Sequence, residues 1–304
     1  MILVTGGTGM LGSFVVRELQ QRGQHVRILA RTHSEPATRK TNIDVVLGNL
    51  ANIDSLHRAA QKVTGIIHTA CTFTHPEVDI IAMEALLNSW DQGAFVFISS
   101  VDVYGYAQWI PITENHPFNK TYSSYSYGKV SCETLLEETA QKRGRGDFSI
   151  LRPPHIWGPD PRCLTKKGLW TTDIYERVYR GESIVLPGET QDEWSQFGDA
   201  WVDARELAWA SVECLQKPLG QAANVINDHF TWHDFCTELI HLTRSSSDIQ
   251  HNNSGSSSFA QCWKYSGERL QQHLNFYPTE RWQDTLAQMV TLAGSLQKNS
   301  SSLD

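Results

Sequence analysis

The sequence predicts an α/β fold: a doubly wound parallel sheet followed by a smaller, mostly helical lobe. Three observations predict it. Short apolar runs alternate with amphipathic helical stretches from residue 1 to residue 151. A glycine-rich turn joins the first run to the first helical stretch. After Arg152-Pro-Pro154 the alternation stops and tryptophan becomes dense, at positions 157, 170, 194, 201, 209 and 232. Strands that are apolar throughout are those covered on both faces, as in a parallel sheet with right-handed crossovers.

The first run, Met1-Ile-Leu-Val4, leads through the turn into a helix over 10–22, with Leu11, Phe14, Val15 and Leu19 on one face. Gly6, Gly9 and Gly12 stand three apart. The first glycine permits a tight bend, the second lets backbone approach a pyrophosphate, and the third lets helix pack close on strand. The helix N-terminus offers unpaired N–H groups and a positive dipole end. Gly6, Thr8, Gly9, Met10, Leu11 and Gly12 are therefore the expected dinucleotide cradle of a Rossmann-type sheet.

Residues 25–30 read as the second strand, ending in Arg31, and 32–41 as a polar loop carrying Arg39 and Lys40. A third strand is expected at 43–47, a helix at 52–62 and a fourth strand at 65–70. A helix over 78–90 carries Ile81, Ala85, Leu86 and Leu87 on its apolar side. The strand at 94–98 ends in Ser99-Ser100, a long helix covers 124–142, and the sixth strand lies at 148–151. Residues 251–258 form a low-complexity loop, and the polar tail 297–304 is expected to be disordered. The chain divides into a dinucleotide-binding domain, 1–155 with about 182–226, and a substrate lobe, about 156–181 and 227–304. The cleft between them is the expected ligand site.

Composition narrows the function classes. The 304 residues are 40% hydrophobic and 19% charged, as in ordinary globular enzymes, and a net charge of -7 argues against nucleic acid. No apolar run approaches the ~20 residues of a membrane span, and the first is too short for a signal segment. A cytoplasmic protein is expected. Six cysteines lack a Cys-x-x-Cys pair and 12 histidines lack His-Glu-x-x-His, so reduced thiols and no metal are expected.

The chemistry gathers at Tyr122-Ser-Ser-Tyr125-Ser-Tyr127-Gly-Lys129. Tyr125 and Lys129, four apart, share a helix face. An ammonium beside a phenol favours the phenolate, so the Tyr125 pKa is expected to fall, giving an acid/base near neutrality. Ser100 lies just past the fifth strand, where open parallel sheets place ligands, and its hydroxyl suits a substrate oxygen. Arg31, ending the second strand, faces the adenosine ribose. An acidic residue there would select NAD, whereas a guanidinium matches a 2′-phosphate. NADP is the expected cofactor, with NAD the alternative.

In order and spacing, these stretches resemble the extended short-chain dehydrogenase/reductase superfamily, with its NAD(P)-dependent epimerase/dehydratase members, over essentially the whole chain. Thr5-Gly-Gly-Thr-Gly-Met-Leu-Gly12 is similar to its Gly-x-x-Gly-x-x-Gly, and Ile98-Ser-Ser-Val-Asp-Val-Tyr-Gly105 to its serine-bearing strand. Tyr125-x-x-x-Lys129 matches its catalytic pair. Leu151-Arg-Pro-Pro-His-Ile-Trp-Gly-Pro159 resembles its segment beside the nicotinamide, and Val202-Asp-Ala-Arg-Glu-Leu-Ala208 its Val-Asp-Val-Arg-Asp-Val-Ala segment. The resemblance implies Tyr125 as acid/base, Lys129 as its modulator and ribose ligand, and Ser100, four before Tyr104, as the group holding the reacting oxygen. It places Asn49 and Leu50 beside the adenine, and Ala70 and Pro153 to His155 along the cofactor. It also implies a homodimer through the helices near 78–90 and 124–142.

The chain departs from the family pattern at Asp79, where an asparagine of the catalytic tetrad is usual, and at His155 and Trp157. The last two, with Thr72 and Asp102, are expected around the substrate. Three functions follow. The first is NADPH-dependent reduction of a small ketone or aldehyde with Tyr125 as general acid. The second is nucleotide-sugar epimerisation or dehydration with the same cofactor and Tyr/Lys pair. The third is non-catalytic cofactor sensing, which the Tyr/Lys pair disfavours. Diphosphate substrates require basic residues, but the segment before Trp201 reads Gln196-Phe-Gly-Asp199-Ala200, and an aspartate there repels a diphosphate. The Val-Asp-x-Arg-x-Leu-Ala wording is nearest to dihydroflavonol and cinnamoyl-type reductases. Both features favour the reductase.

Overall fold

The computed structural model describes residues 1–32, 42–255 and 259–301. Arg39 and Lys40 of the expected basic loop, and residues 256–258 of the low-complexity loop, lie outside the described residues. Twelve strands are described: β1 (Ile2–Thr5), β2 (Val26–Ala30), β3 (Ile43–Leu47), β4 (Gly65–His68), β5 (Ala94–Ile98), β6 (Phe148–Arg152), β7 (His155–Trp157), β8 (Ile184–Leu186), β9 (Gly198–Asp203), β10 (Ala222–Asn224), β11 (Asp228–Thr231) and β12 (Ile249–His251). The helices are α1 (Met10–Gln21), α2 (Ile53–Ala60), α3 (Pro76–Asn88), α4 (Ser124–Lys142), α5 (Arg162–Thr165), α6 (Trp170–Tyr179), α7 (Gln191–Trp194), α8 (Ala204–Gln216), α9 (Trp232–Thr243), α10 (Glu268–Leu274) and α11 (Trp282–Ser301).

Seven strands form one sheet in the order β10-β6-β5-β4-β1-β2-β3, and every pairing in it is parallel. Its strands are sandwiched as their apolar character requires. Ile2 and Val4 face a layer built with Phe14, Val15 and Leu19 of α1 and Leu207 and Ala210 of α8. Leu3, Ile66, Phe95 and Phe97 face the opposite layer, with Leu56 of α2, Met83 and Leu86 of α3, and Leu136 of α4. Chain direction across the sheet reverses between β1 and β4, and α1 starts at that switch point, where such sheets bind ligands.

Local chemistry sets the helix ends. α3 begins at Pro76, two residues before the expected start, because proline at the first helical position costs no hydrogen bond; this puts Asp79 in the first turn. Ser123 caps α4 by accepting the Ser126 N–H at 3.0 Å.

Outside the large sheet lie further strands, among them β8 and β9, which fall within 182–226, the stretch expected with the dinucleotide-binding domain. β7 and β11 flank β9, and β12 pairs with β8. β7 follows β6 directly through Pro153-Pro154, so the lobe departs from the C-terminal edge of the sheet. Of the tail expected to be disordered, residues 297–301 continue α11 as helical backbone, and 302–304 lie outside the described residues. That helix is anchored in the lobe core by Trp282, Leu286, Met289 and Ala293. Among the described residues no helix is long and apolar enough to cross a membrane.

Candidate active site

The glycine turn shapes one end of a cleft of about 700 Å³. Gly6 has φ +72°, and a Cβ there would stand 2.6 Å from Thr69 Oγ1 and 2.9 Å from Ala70 N. A Cβ on Gly12 would meet Gly6 O at 2.0 Å. Gly9 donates its N–H to Gly6 O at 2.8 Å and begins α1 with no side-chain cap and no acidic residue in the first turn. Ser13 N–H is the first to bond within the helix, to Gly9 O at 3.0 Å. The amides of Met10, Leu11 and Gly12 precede it, at the helix end that the cleft adjoins. This cradle fits the pyrophosphate of a dinucleotide. Arg31, Asn49 and Leu50 line the same cleft, as do Ala70, Thr72, Ser100, Tyr125, Lys129 and Pro153.

At the C-terminal edge of the sheet the reactive groups converge. Lys129 is buried; its Nζ donates to Ile98 O at 2.8 Å and lies 5.5 Å from the Tyr125 ring centre. Ser100 caps a single turn of 3-10 helix, Val101–Tyr104, by accepting the Asp102 N–H at 3.2 Å, and its hydroxyl also faces the Tyr125 phenol. The expected direction of the Tyr125 pKa is corrected here. Burial dominates and raises it, and the opposing attraction of Lys129 is smaller. Burial also works against the Lys129 ammonium, but Tyr125 and the neighbouring acidic groups hold its pKa above the usual lysine value. The pair therefore rests as a neutral phenol beside an ammonium. Asp79 accepts the Thr72 N–H at 2.9 Å and the Thr72 hydroxyl at 3.0 Å, pinning the loop that lines the cleft; burial raises its pKa.

Beyond Ser100 lies an acidic and aromatic wall. His155 Nε2 and Asp199 Oδ2 are 3.0 Å apart, and the Trp170 indole N–H donates to His155 Nδ1 at 3.3 Å. Nδ1 thus accepts, and Nε2 carries the hydrogen toward Asp199. Asp102 is held above the ordinary carboxylate range by burial and by Asp199, against the pull of His155. Neither His155 nor Asp102 lines the dinucleotide cleft, whereas Asp199 lines a separate cavity of about 460 Å³ with Phe230, Trp263 and Lys264. Trp157 is in neither: it is 3% exposed, with its ring 5.8 Å from that of Trp201 and 4.8 Å from that of Phe230, in the core of the lobe.

The family model of the NAD dependent epimerase/dehydratase family matches residues 2–227. The chain belongs to that family. Its members are enzymes of the extended short-chain dehydrogenase/reductase type. A ketoreductase of Aspergillus niger is 24% identical over 279 residues, covering 76% of this chain and 78% of its own. Cinnamoyl-CoA reductase 1 of Oryza sativa subsp. japonica is 27% identical over 248 residues, covering 72% and 68%. The family's fold is shared with the Thermus thermophilus UDP-glucose 4-epimerase, solved in complex with NAD: TM-score 0.77, 21% identity, covering 96% of this chain and 98% of that one.

Several residues in and behind the cleft carry no local sequence signal. Arg162 Nη1 donates to Thr8 O at 3.1 Å across 154 residues of chain. Lys166 lines the cleft with its Nζ 5.2 Å from the Phe73 ring, and Phe73 stacks on Tyr125 at 5.5 Å. Arg152, in the segment that resembles the one beside the nicotinamide, is buried against Glu133, with Nε to Oε1 at 3.0 Å, and donates to Tyr104 at 2.8 Å. Among the described residues no group of three or more His, Cys, Asp or Glu side chains could hold a metal ion.

Proposed function

We propose that the protein is an NADPH-dependent reductase of a small-molecule ketone or aldehyde. The carrying observation is a chain of carboxylates near the reactive pair: the charge of buried Asp102 reaches Tyr125, and Asp199, bound to His155, lies close enough to act on Asp102. Carboxylates there disfavour a diphosphate, and with it the nucleotide-sugar epimerase or dehydratase reading. The neutral phenol suits reduction, since it is the form that can give a proton away.

When bound, NADPH supplies a hydride to the carbonyl carbon. Ser100 holds the carbonyl oxygen by a hydrogen bond. As negative charge develops on that oxygen, Tyr125 transfers its phenolic proton to it, and the product is an alcohol. The phenolate left behind is stabilised by the Lys129 ammonium and regains its proton from solvent. An alkoxide is far more basic than a phenolate, so the transfer runs downhill even from a raised Tyr125. Arg31 at the adenosine end selects the 2′-phosphate. The same reading covers a dinucleotide domain and substrate lobe meeting near residue 155, and a cytoplasmic homodimer. For the dimer, Ile81 of α3 and Tyr127 of α4, 45% and 46% exposed, offer apolar surface.

The test combines Tyr125→Phe with a nucleotide titration. Carbonyl-dependent NADPH oxidation should fall about 10²–10⁴-fold in the variant with cofactor affinity nearly unchanged. Wild-type protein with cofactor bound should give no calorimetric signal with UDP. Near-normal turnover in Tyr125→Phe removes the mechanism, and micromolar UDP binding moves the assignment to the epimerase or dehydratase.

A further inference from the structure

The segment from His155 to Trp170 crosses the glycine turn and comes back to its own start. His155 opens it on β7, and the Trp170 indole closes it by bonding His155 Nδ1. Between them the chain is pressed against the sheet-side layer: a Cβ on Gly158 would lie 2.8 Å from Ala204 Cβ and 3.3 Å from the Phe14 ring. Asp160 then grips Arg162, Oδ1 accepting from Nε at 2.9 Å and Oδ2 from Nη2 at 2.5 Å. The other side of the guanidinium meets the turn. Nη1 donates to Thr8 O at 3.1 Å, and Nη2 lies 3.5 Å from both Gly9 O and Ser13 Oγ.

We propose that Arg162 is a positioning residue for the cofactor's pyrophosphate. A trans peptide points its C=O and N–H in opposite directions. The Gly9 carbonyl, which also accepts the Ser13 N–H at 3.0 Å, is held from two sides, and the Met10 N–H of the same peptide points the opposite way, toward the open N-terminal end of α1. Arg162 bridges two successive carbonyls of the phosphate-binding turn from outside, which fixes the amides before a ligand arrives. Its charge is already met by Asp160, so its effect is geometric rather than a long-range attraction. A lysine retains the charge but cannot make the fork that reaches Asp160 and both carbonyls together. The second lobe thereby holds the turn that the first lobe presents to the cofactor.

The inference rests on the dinucleotide reading of the cleft and is tested by binding rather than turnover. Arg162→Gln and Arg162→Lys are titrated with the reduced dinucleotide that wild type binds more tightly. The same variants are titrated with the matching adenosine fragment lacking a 5′-phosphate, and their thermal midpoints are measured. The dinucleotide should weaken about tenfold or more in both variants. The fragment, which ends short of the turn, should bind as in wild type. Equal weakening of dinucleotide and fragment would mean general loosening and overturns the proposal, as does full affinity in either variant, the lysine case showing that charge alone suffices. A wild type that binds no dinucleotide fails the cofactor reading itself, an outcome distinct from the others.

Discussion

Arg31 stands at the end of β2 on the wall of the cleft, with Asn49 and Leu50 beside it. A guanidinium offers a phosphate a fork of donors that a neutral ribose hydroxyl cannot match. Arg31→Ala should weaken NADPH by roughly 1.5–3 kcal/mol, the range of a charge-assisted hydrogen bond, and leave NADH nearly unchanged. Fluorescence titration of both cofactors decides it: wild-type preference for neither, or equal loss of both, removes Arg31 as the reader of the 2′-phosphate. The residue scale also shows the limit of spacing. Tyr125 and Lys129 are visible as a pair because four residues make one helical turn. The direction of the Tyr125 pKa is not visible, since burial outweighs the ammonium and burial is a property of the assembled cleft. Arg162 is hidden for a related reason. Its partners, Thr8 and Gly9, precede it by a sequence separation that no local pattern spans.

Helix α1 and its turn act as one element, and Gly12 is where they touch. A Cβ there would meet backbone oxygen at 2.0 Å, so turn or helix must shift. Gly12→Ala should lower stability by roughly 1–3 kcal/mol, as overpacking does, and weaken the dinucleotide by more than tenfold. Gly23 supplies the contrast: it has a left-handed φ of +71°, which Gly12 in its helix does not, and open space surrounds it. Gly23→Ala should cost about 1 kcal/mol of backbone strain and leave cofactor binding alone. Urea unfolding and a cofactor titration on both variants separate the two effects; equal cofactor affinity in Gly12→Ala would show that the close approach is not what shapes the site. The elements of the large sheet are legible because continuous apolar runs and helical periodicity are local signals. The β7–β9–β11 sheet is not, since it joins three short segments whose pairing comes from the lobe's packing. In α11 the spacing of Trp282, Leu286, Met289 and Ala293 was a readable helical stripe, and the polar residues after it continue the same helix.

Across the whole molecule, buried polar groups tie the layers together and set the response to acid. Glu133 of α4 meets Arg152 of β6, Arg152 meets Tyr104, and Tyr104 donates to Asn224 of β10 at 2.6 Å, joining four elements behind the cleft. His68, at the end of β4, is 1% exposed, and its Nδ1 pairs with Thr5 Oγ1 of β1 at 2.6 Å. Burial, helped by the nearby Lys129 ammonium, lowers its pKa from 6.5 to about 3. The folded protein thus keeps His68 neutral while the unfolded chain protonates it below about pH 6.5. The unfolded state binds more protons between those two values, so this contribution is full above the unfolded pKa and is lost as pH falls toward the folded one. Between pH 7.5 and 5.5 the loss should be about 1.4 kcal/mol. Asp79 and Asp102, whose pKa values burial raises, act in the opposite direction, and comparing a variant with wild type cancels them to the extent that the sites are independent. His68→Gln keeps a polar partner for Thr5 but cannot titrate. Urea unfolding at the two pH values should show wild type losing about 1.4 kcal/mol more than the variant. An equal loss in both proteins would mean that the acid sensitivity of the fold lies elsewhere than in this strand-end histidine.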